Sequence, residues 1–311
     1  MLRYFLAATA LKMFSANSTS KALYRRIGNV LGQEMRKRES IDTRIRRGNL
    51  LVDLCNKYSA VNEGDKLLEI GTGWIHWYSI YLRLYYDVSI TMLDVWNNRQ
   101  FIALKSAFSK LEASMKTDHT HYHRIVKLLQ KILATKSFEE LYIMLGLQYI
   151  IEKTGDLSQF PDNSFSYVFS FHVLEHILQD NVSKEVRDIY RILKPGGYSI
   201  HQIGIDDHLS HYDKNESPKN YLRYSDKTWK MLFENEVQYF NRLQMFDWLS
   251  LFDKEGFCLL EKITESCDIE SLRIDQKYKY YKKEDLACTT LTIVHRKPSL
   301  ELRTLCNKSR K

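Results

Sequence analysis

Two glycines at the end of an apolar run are the residues whose spacing most directly indicates chemistry. The run Lys66–Ile70 is followed by Gly71, Thr72 and Gly73. Glycines at the end of a buried strand let backbone N–H groups approach a ligand closely, because the missing Cβ atoms leave room for it. Asp94 ends the next apolar run, where a carboxylate can accept hydrogen bonds from both hydroxyls of a ribose. These residues predict a pocket of the nucleotide-binding type.

Histidines and carboxylates concentrate in two further segments. One follows an apolar run at 166–170, and the other, the most polar and histidine-rich loop of the chain, follows an apolar run at 198–203. Their ionisable residues are His172, Glu175, His176, Asp206, Asp207, His208, His211 and Asp213. Imidazole transfers protons near neutral pH and also binds metals, so both segments are candidates for chemistry.

A divalent metal site and a plain structural role are the two interpretations of the first segment. The pattern His172-x-x-Glu175-His176, together with His208, offers nitrogen and oxygen ligands that favour a softer metal. In the other interpretation, which we prefer, His176 caps the following helix or packs beneath a cofactor, and no metal is predicted. The histidines of 119–123 are interpreted as an exposed helix end or loop, because residues two apart on a helix point apart.

Continuous apolar runs predict strands buried on both faces, and therefore a parallel sheet with crossover helices. The predicted strands are 66–70, 88–93, 166–170 and 198–203, followed by an antiparallel pair at 257–264 and 286–296. A helix is predicted at 74–86, and a second one follows the strand at 166–170 and runs to about Leu193. Two more are predicted at 226–233 and 241–255. Leu193–Gly197 contains a proline and two glycines, which is typical of a helix stop.

The remaining segments predict additions to this sheet. Residues 97–151 have no proline and almost no glycine, and we interpret them as an insertion of two or three helices. Residues 1–47 predict an N-terminal basic amphipathic helical extension, residues 48–296 the main domain, and residues 297–311 a basic tail. Residues 1–14 predict an apolar helix too short to span a bilayer, which we interpret as a docking helix.

Charge and cysteine content leave the partner open. The net charge of +8 fits nucleic acid, a membrane surface or an acidic substrate. Leu23, Ile27, Val30 and Leu31 repeat at helical spacing among basic residues, as in a helix that lies on an anionic membrane, grips phosphates or covers its own domain. The five cysteines are scattered, which indicates reduced thiols. We predict a cytoplasmic protein, with peripheral membrane contact through residues 1–47 as an alternative.

Motifs in a consistent order resemble those of the class I S-adenosylmethionine-dependent methyltransferases, particularly the branch that acts on small molecules, lipids and sugars. The motifs are Glu69–Gly73, Asp94, Asp156-Leu157, Phe160–Phe165, Val173–His176 and Leu193–Gly197. The resemblance covers about residues 48–296 and implies an α/β fold: a doubly wound, Rossmann-like, seven-stranded and mostly parallel sheet with an antiparallel C-terminal hairpin. It implies S-adenosylmethionine as the cofactor, bound by Glu69, Gly71, Gly73, Asp94, Asp156, Leu157 and Phe171.

The chain departs from the family motif at two positions, and methyl transfer itself sets one requirement for the site. Ile75 replaces a third glycine common in the family, and His76 occupies the position where a dinucleotide fingerprint needs glycine, which disfavours NAD. A sulfonium methyl is already activated, so the enzyme must align the acceptor and remove a hydroxyl proton, with His208, His211 and His176 as candidate bases. The predicted reaction is O-methylation of a small molecule, sugar or lipid-linked glycan. RNA methylation, with nucleic acid the less favoured partner, and a non-catalytic methyltransferase-like binding protein are the alternatives.

Overall fold

A computed structural model describes residues 1–58, 61–115 and 121–299. The helices in these ranges are α1 (Leu2–Phe14), α2 (Ser18–Arg38), α3 (Asp42–Tyr58), α4 (Trp77–Tyr85), α5 (Phe101–Ser114), α6 (Tyr122–Ala134), α7 (Phe138–Leu145), α8 (Gln179–Ile192), α9 (Asp226–Leu232), α10 (Met245–Lys254) and α11 (Lys283–Ala287). The strands are β1 (Lys66–Ile70), β2 (Ser89–Asp94), β3 (Leu147–Ile151), β4 (Phe165–Phe171), β5 (Leu193–Gly204), β6 (Cys258–Ser266) and β7 (Cys288–Arg296). Short 3-10 helices lie at Leu174–His176, His208–Tyr212, Asn220–Arg223 and Gln276–Tyr278.

The strands form one seven-stranded sheet in the order β3-β2-β1-β4-β5-β7-β6. β1 is parallel to β2 and to β4, and β2 is parallel to β3. β6 and β7 are antiparallel. Because β1 and β4 are interior strands with both faces covered, their residues are buried almost continuously rather than alternately. The predicted fold class, a mostly parallel α/β sheet that ends in an antiparallel pair, is confirmed.

The prediction of helices throughout 97–151 is wrong for the last five residues, which form β3. Helices α5, α6 and α7 precede this strand, and Gly146 ends α7 in a left-handed conformation with a φ of 65°. That conformation lets the chain leave the helix and enter the strand. Leu147–Ile151 is a short, mostly apolar run, and periodicity alone does not distinguish such a run from part of a buried helix.

Two other predicted boundaries also move. Helix α8 ends at Ile192, as the helix-stop pattern predicts, but Leu193–Gly197 is itself the first part of β5 instead of a turn before it. A proline is tolerated near the start of a strand because it removes only one donor there. The predicted division between residues 47 and 48 lies inside α3, a continuous helix whose buried face begins at Gly48.

The described chain divides into two compact units. The β1–β3 unit comprises Gly28–Ser170 and Arg191–Tyr198. The β6–β7 unit comprises Met1–Ile27, Phe171–Tyr190 and the described residues from Ser199 onwards. In the β1–β3 unit the buried core includes strand and helix residues such as Leu67, Leu68, Met92, Leu104, Phe108 and Val168.

Helix α1 belongs to the core of the β6–β7 unit. Its buried residues Tyr4, Ala8 and Leu11 recur at helical spacing and therefore share one face. They join a cluster that contains Trp229 and Phe233, and the ring centroids of Tyr4 and Phe233 lie 5.5 Å apart. The predicted docking helix thus packs within its own unit. Among the residues described, no helix is both long enough and apolar enough to cross a membrane.

Helix α2 behaves differently from α1. None of its side chains reaches full burial, and the apolar residues Leu23, Ile27, Val30 and Leu31 are exposed. The apolar spacing recognised in the sequence therefore marks a solvent-facing surface of α2 and not a core-facing one.

Candidate functional site

The loop after β1 turns on two glycines in the left-handed conformation. The φ angle is 70° at Gly71 and 67° at Gly73, a region that glycine adopts without steric cost. The N–H of Gly71 donates to the carbonyl oxygen of Leu93 at 2.8 Å. The loop is therefore fixed against the carboxyl end of β2.

Asp94 is held beside this loop. Its Oδ2 accepts a hydrogen bond from the N–H of Gly73 at 3.0 Å, and its Oδ1 accepts one from Val95 at 2.8 Å. Burial raises the pKa of Asp94, while the N–H groups of Gly73 and Val95 act in the opposite direction. The backbone carbonyl of Asp94 also accepts from the N–H of Glu152 at 2.9 Å. The backbone of Trp96 is a third hydrogen-bond donor to this carboxylate. Because an ionised carboxylate has about four lone-pair sites, Asp94 can still accept a hydrogen bond from a hydroxyl.

Space is open next to Gly73. A Cβ atom at this residue would meet no atom of the described chain within 4 Å. An open position beside a carboxylate with spare lone pairs fits the ribose of a nucleoside cofactor. Gly73 and Asp94 thus lie together in the arrangement that their spacing predicts.

Glu69 is buried inside the same loop. Its side chain is 1% exposed, and Oε2 accepts hydrogen bonds from the hydroxyls of Thr72, at 2.9 Å, and Ser79. Burial raises the pKa of Glu69 to about 7, although the hydrogen bonds from Ser79 and Thr72 lower it. Because these partners belong to the loop and to the start of α4, the geometry gives Glu69 the task of holding the loop in shape.

His76 also holds this loop, and the sequence analysis does not assign it to the site. It is fully buried, and its backbone is left-handed with a φ of 48°. Nδ1 lies 2.8 Å from the hydroxyl oxygen of Thr72, and Nε2 lies 2.9 Å from that of Tyr142. Burial, together with the charge of Arg99, lowers the pKa of His76 to about 3. The sequence gives one hint, because a dinucleotide-binding fingerprint has glycine at this position. The contact with Tyr142 is not visible in the sequence, because Tyr142 lies 66 residues away.

Asp156 and Leu157 lie on the loop after β3. The carboxylate of Asp156 accepts hydrogen bonds from the N–H and the hydroxyl of Ser158, at 3.0 and 2.8 Å. The side chain of Leu157 is fully buried. Arg191, at the end of α8, donates from Nη2 to the carbonyl oxygen of Leu157 at 3.0 Å. The loop is therefore braced by an arginine that the sequence analysis does not single out.

A histidine–aspartate pair lies in the β6–β7 unit. Nε2 of His211 is 2.6 Å from Oδ2 of Asp206. This hydrogen bond raises the pKa of His211, which is mostly exposed. A carboxylate that holds one ring nitrogen leaves the other free to exchange a proton with a substrate, as in the histidine–aspartate pair of serine proteases.

Glu175 is the buried carboxylate of the same unit. Its Oε1 accepts from the N–H of Gly204 at 3.1 Å and lies 3.2 Å from Nδ1 of His172. The neighbouring residue, His176, is exposed, and its Nδ1 lies 2.7 Å from the carbonyl oxygen of Tyr239. Although burial favours the neutral form of Glu175, the hydrogen bond from His172 and the nearby His176 hold its pKa below the usual value.

His208 connects these groups. Its ring centroid lies 5.1 Å from that of His176, 5.6 Å from that of His211 and 4.6 Å from that of Phe240. Burial and the neighbouring His176 lower the pKa of His208 to about 4. His208 is therefore a neutral imidazole at physiological pH, with a lone pair available to a proton or a metal.

Each unit thus collects part of the predicted site. The β1–β3 unit contains the predicted cofactor residues Glu69, Gly71, Gly73, Asp94, Asp156 and Leu157. The β6–β7 unit contains the predicted bases His176, His208 and His211, and also Phe171, which ends β4 and is buried. In the predicted cluster at 119–123, His121 and His123 are exposed, while His119 lies outside the described residues, as does Cys306.

Residues 119–201 match a family model described as a methyltransferase domain. This segment of the chain therefore carries the sequence pattern of a methyltransferase domain. The open position beside Gly73 and Asp94 fits the nucleoside part of a cofactor such as S-adenosylmethionine. No curated protein matches this chain.

Several solved structures resemble the fold of this chain. One is an S-adenosylmethionine-dependent methyltransferase from Methanosarcina mazei, with 17% identity, coverage of 79% of this chain and 97% of that chain, and a TM-score of 0.42. Another is phosphoethanolamine N-methyltransferase 2 of Haemonchus contortus in complex with S-adenosyl-L-methionine, with 17% identity, coverage of 81% and 53%, and a TM-score of 0.44. A third is the [4+2]-cyclase SpnF, with 15% identity, coverage of 80% and 81%, and a TM-score of 0.44.

Proposed function

We propose that this methyltransferase transfers the methyl group of S-adenosylmethionine to a hydroxyl oxygen of a small molecule, a sugar or a lipid-linked glycan. The observation that carries the cofactor assignment to these residues is the hydrogen bond from Gly73 to Asp94 beside an open position. The backbone of Gly71–Gly73 and the carboxylate of Asp94 would hold the nucleoside part of the cofactor. The bound cofactor supplies an activated methyl group, so the chain has to align the acceptor and accept its proton.

The histidine–aspartate pair supports oxygen as the acceptor atom. A hydroxyl must lose its proton to become a good nucleophile, whereas a neutral amine already has a free lone pair. We assign the base to His211 instead of His208 or His176, because His211 is the predicted base that bonds a carboxylate, that of Asp206 at 2.6 Å. Asp206 orients the imidazole and stabilises the imidazolium that forms.

Calorimetric titration with S-adenosylmethionine tests the cofactor site. Replacing Asp94 with alanine removes the carboxylate that would accept from the ribose hydroxyls, and we expect the Kd to rise roughly 10- to 100-fold. Glu63 is an exposed carboxylate in the turn before β1, so Glu63→Ala is a charge-matched control that should keep the wild-type Kd. Equal binding by Asp94→Ala and wild type would contradict the assignment.

The acceptor class is tested by product analysis. The protein is incubated with methyl-labelled S-adenosylmethionine and, separately, with phenolic, sugar, lipid-linked glycan, amine and RNA acceptors. We expect label on oxygen in one of the first three classes, and loss of that label in His211→Ala while cofactor binding is retained. Label found only on an amine or on RNA would contradict the proposal.

We also propose a cytoplasmic location with contact to an anionic membrane surface through α2. Cys55, Cys258, Cys267 and Cys288 are free thiols, the state that a reducing compartment maintains. The exposed apolar residues of α2, with basic residues around them, have the composition of a helix that lies on a membrane. The protein should cosediment with phosphatidylserine vesicles and not with neutral ones, and Leu31→Glu should abolish this; equal sedimentation with both would contradict the contact.

A further inference from the structure

Three ligand-type side chains of the β6–β7 unit converge. One ligand atom each from Glu175, His176 and His208 lie within 4.8 Å of one another. Two imidazoles and one carboxylate form a donor set that binds divalent transition metals and leaves coordination positions open for a substrate or water. Convergence alone is a weak signal, so the state of each of the three groups matters.

The carboxylate of Glu175 has an oxygen with no partner in the described part of the chain. The side chain is 1% exposed. Oε1 is occupied by Gly204 and His172, whereas Oε2 is buried and makes no hydrogen bond to any described residue. A buried carboxylate oxygen without a donor is costly, and a cation bound to it removes that cost.

His176 is oriented as metal-binding histidines usually are. Its Nδ1 lies 2.7 Å from the carbonyl oxygen of Tyr239. A carbonyl oxygen can only accept, so Nδ1 carries the proton and Nε2 carries the lone pair. Histidine ligands of metals commonly donate their second ring N–H to a backbone carbonyl, which fixes the tautomer and the direction of the ring.

His208 is held by contacts with neighbouring rings. Its ring centroid lies 4.6 Å from that of Phe240, with an interplanar angle of 32°. Its second ring neighbour is His176, at 5.1 Å. A ring fixed in this way keeps its nitrogen close to the other two ligands without a rearrangement of the loop that carries it.

We propose that Glu175, His176 and His208 bind a divalent transition-metal ion of the zinc class. Oε2 of Glu175, Nε2 of His176 and one ring nitrogen of His208 are the ligands, and His172 positions Glu175 through Oε1. When bound, the ion would supply the Lewis acidity that lowers the pKa of an acceptor hydroxyl, and His211 would accept the proton. This role for the ion rests on the proposed function, whereas ion binding itself does not.

Metal uptake by the full chain tests the site. The protein is treated with a chelator, dialysed, and titrated with Co²⁺ and Zn²⁺ in separate experiments, with calorimetry and the visible absorption of Co²⁺ as readouts. We expect one ion per chain with a Kd in the micromolar range or below. Glu175→Gln keeps the size of the side chain and its hydrogen bond to Gly204, and should weaken binding roughly 100-fold.

Two further ligand variants test ion binding independently, in case Glu175→Gln disturbs folding. His208→Ala and His176→Ala should each weaken ion binding as Glu175→Gln does, because each removes a ligand from a more accessible position than the buried Glu175. His123→Ala, at an exposed histidine of α6, is the control and should bind the ion as wild type does. Calorimetry with S-adenosylmethionine checks that each variant is folded.

Two results would overturn the site: wild type that takes up no stoichiometric ion, or ligand variants that retain wild-type affinity. Ion binding by a chain that fails to bind S-adenosylmethionine would contradict the proposed function and leave the metal site standing. Conversely, methylation that persists unchanged in Glu175→Gln, after that variant has lost the ion, would contradict only the role of the ion with the acceptor.

Discussion

A single buried carboxyl group, Glu69, controls the shape of the loop after β1. Its hydrogen bonds to Thr72 and Ser79 lie inside the loop and the start of α4. The sequence motif predicts that this residue binds the cofactor, and the geometry supports an indirect contribution, through the conformation of the loop. The burial of Glu69 also has a thermodynamic consequence.

We predict that Glu69→Gln changes how stability depends on pH. Burial raises the pKa of Glu69 from 4.5 to about 7 in the folded protein. Between these values the native state binds more protons than the unfolded state, so this group's contribution to stability is complete below pH 4.5 and is lost as the pH rises through 7. The glutamine side chain does not titrate. The free energy of unfolding of Glu69→Gln, relative to that of wild type, should therefore increase by about 2 kcal/mol from pH 5 to pH 8.

Urea unfolding of both proteins at pH 5 and pH 8 measures this difference. Glu63→Gln, at an exposed carboxylate, is the matched control and should follow wild type at both pH values. A constant gap between Glu69→Gln and wild type at the two pH values would show that Glu69 ionises as an exposed carboxylate does.

At the scale of the elements, α2 connects two loops of the proposed cofactor pocket. The guanidinium of Arg36 lies 3.6 Å from the centroid of the Trp74 ring, and its Nη1 donates to Oε1 of Gln100 at 3.1 Å. The N–H of Gln100 in turn donates to the carbonyl oxygen of Trp74 at 2.9 Å. One arginine of α2 therefore joins the loop after β1 to the segment after β2.

We predict that Arg36→Ala weakens binding of S-adenosylmethionine. A cation–π contact and a hydrogen bond of this kind are worth about 1 kcal/mol each, so the Kd should rise roughly 5- to 30-fold as the Trp74 loop becomes less ordered. Calorimetry measures the change, and Arg38→Ala, at an exposed arginine two residues further along α2, serves as the control. Equal affinities in the two variants would mean that this connection does not contribute to binding.

The accuracy of the element predictions follows from how local their signals are. Strand β1 is predicted at its observed bounds because an apolar run between two turns defines it. The position of Asp94 at a strand end is predicted because Asp94 ends a similar apolar run. Strand β3 is missed because its five residues are recognisable as a strand only through pairing with β2. Arg36 and His76 are missed because their roles depend on Trp74 and Tyr142, which no local pattern connects to them.

At the scale of the whole molecule, α1 stabilises the unit that carries the histidines. Leu11 is 4% exposed within the core cluster. Leu11→Ala should reduce the free energy of unfolding by about 2–5 kcal/mol, the usual cost of removing a buried leucine side chain. Leu6→Ala is the control, because Leu6 lies on the same helix and is 60% exposed. Similar urea midpoints for the two variants would contradict the packing of α1.

The hydrogen bond between α1 and the loop that carries His208 and His211 has a consequence for biosynthesis. The hydroxyl of Tyr4 donates to Oδ2 of Asp207 at 2.7 Å, across 203 residues of chain. During translation α1 leaves the ribosome long before Asp207 is made, so its apolar face has no partner for that interval. The loop with His208 and His211 must form this long-range contact late, and we expect its assembly to be a slow step in folding, sensitive to chaperones that shield α1.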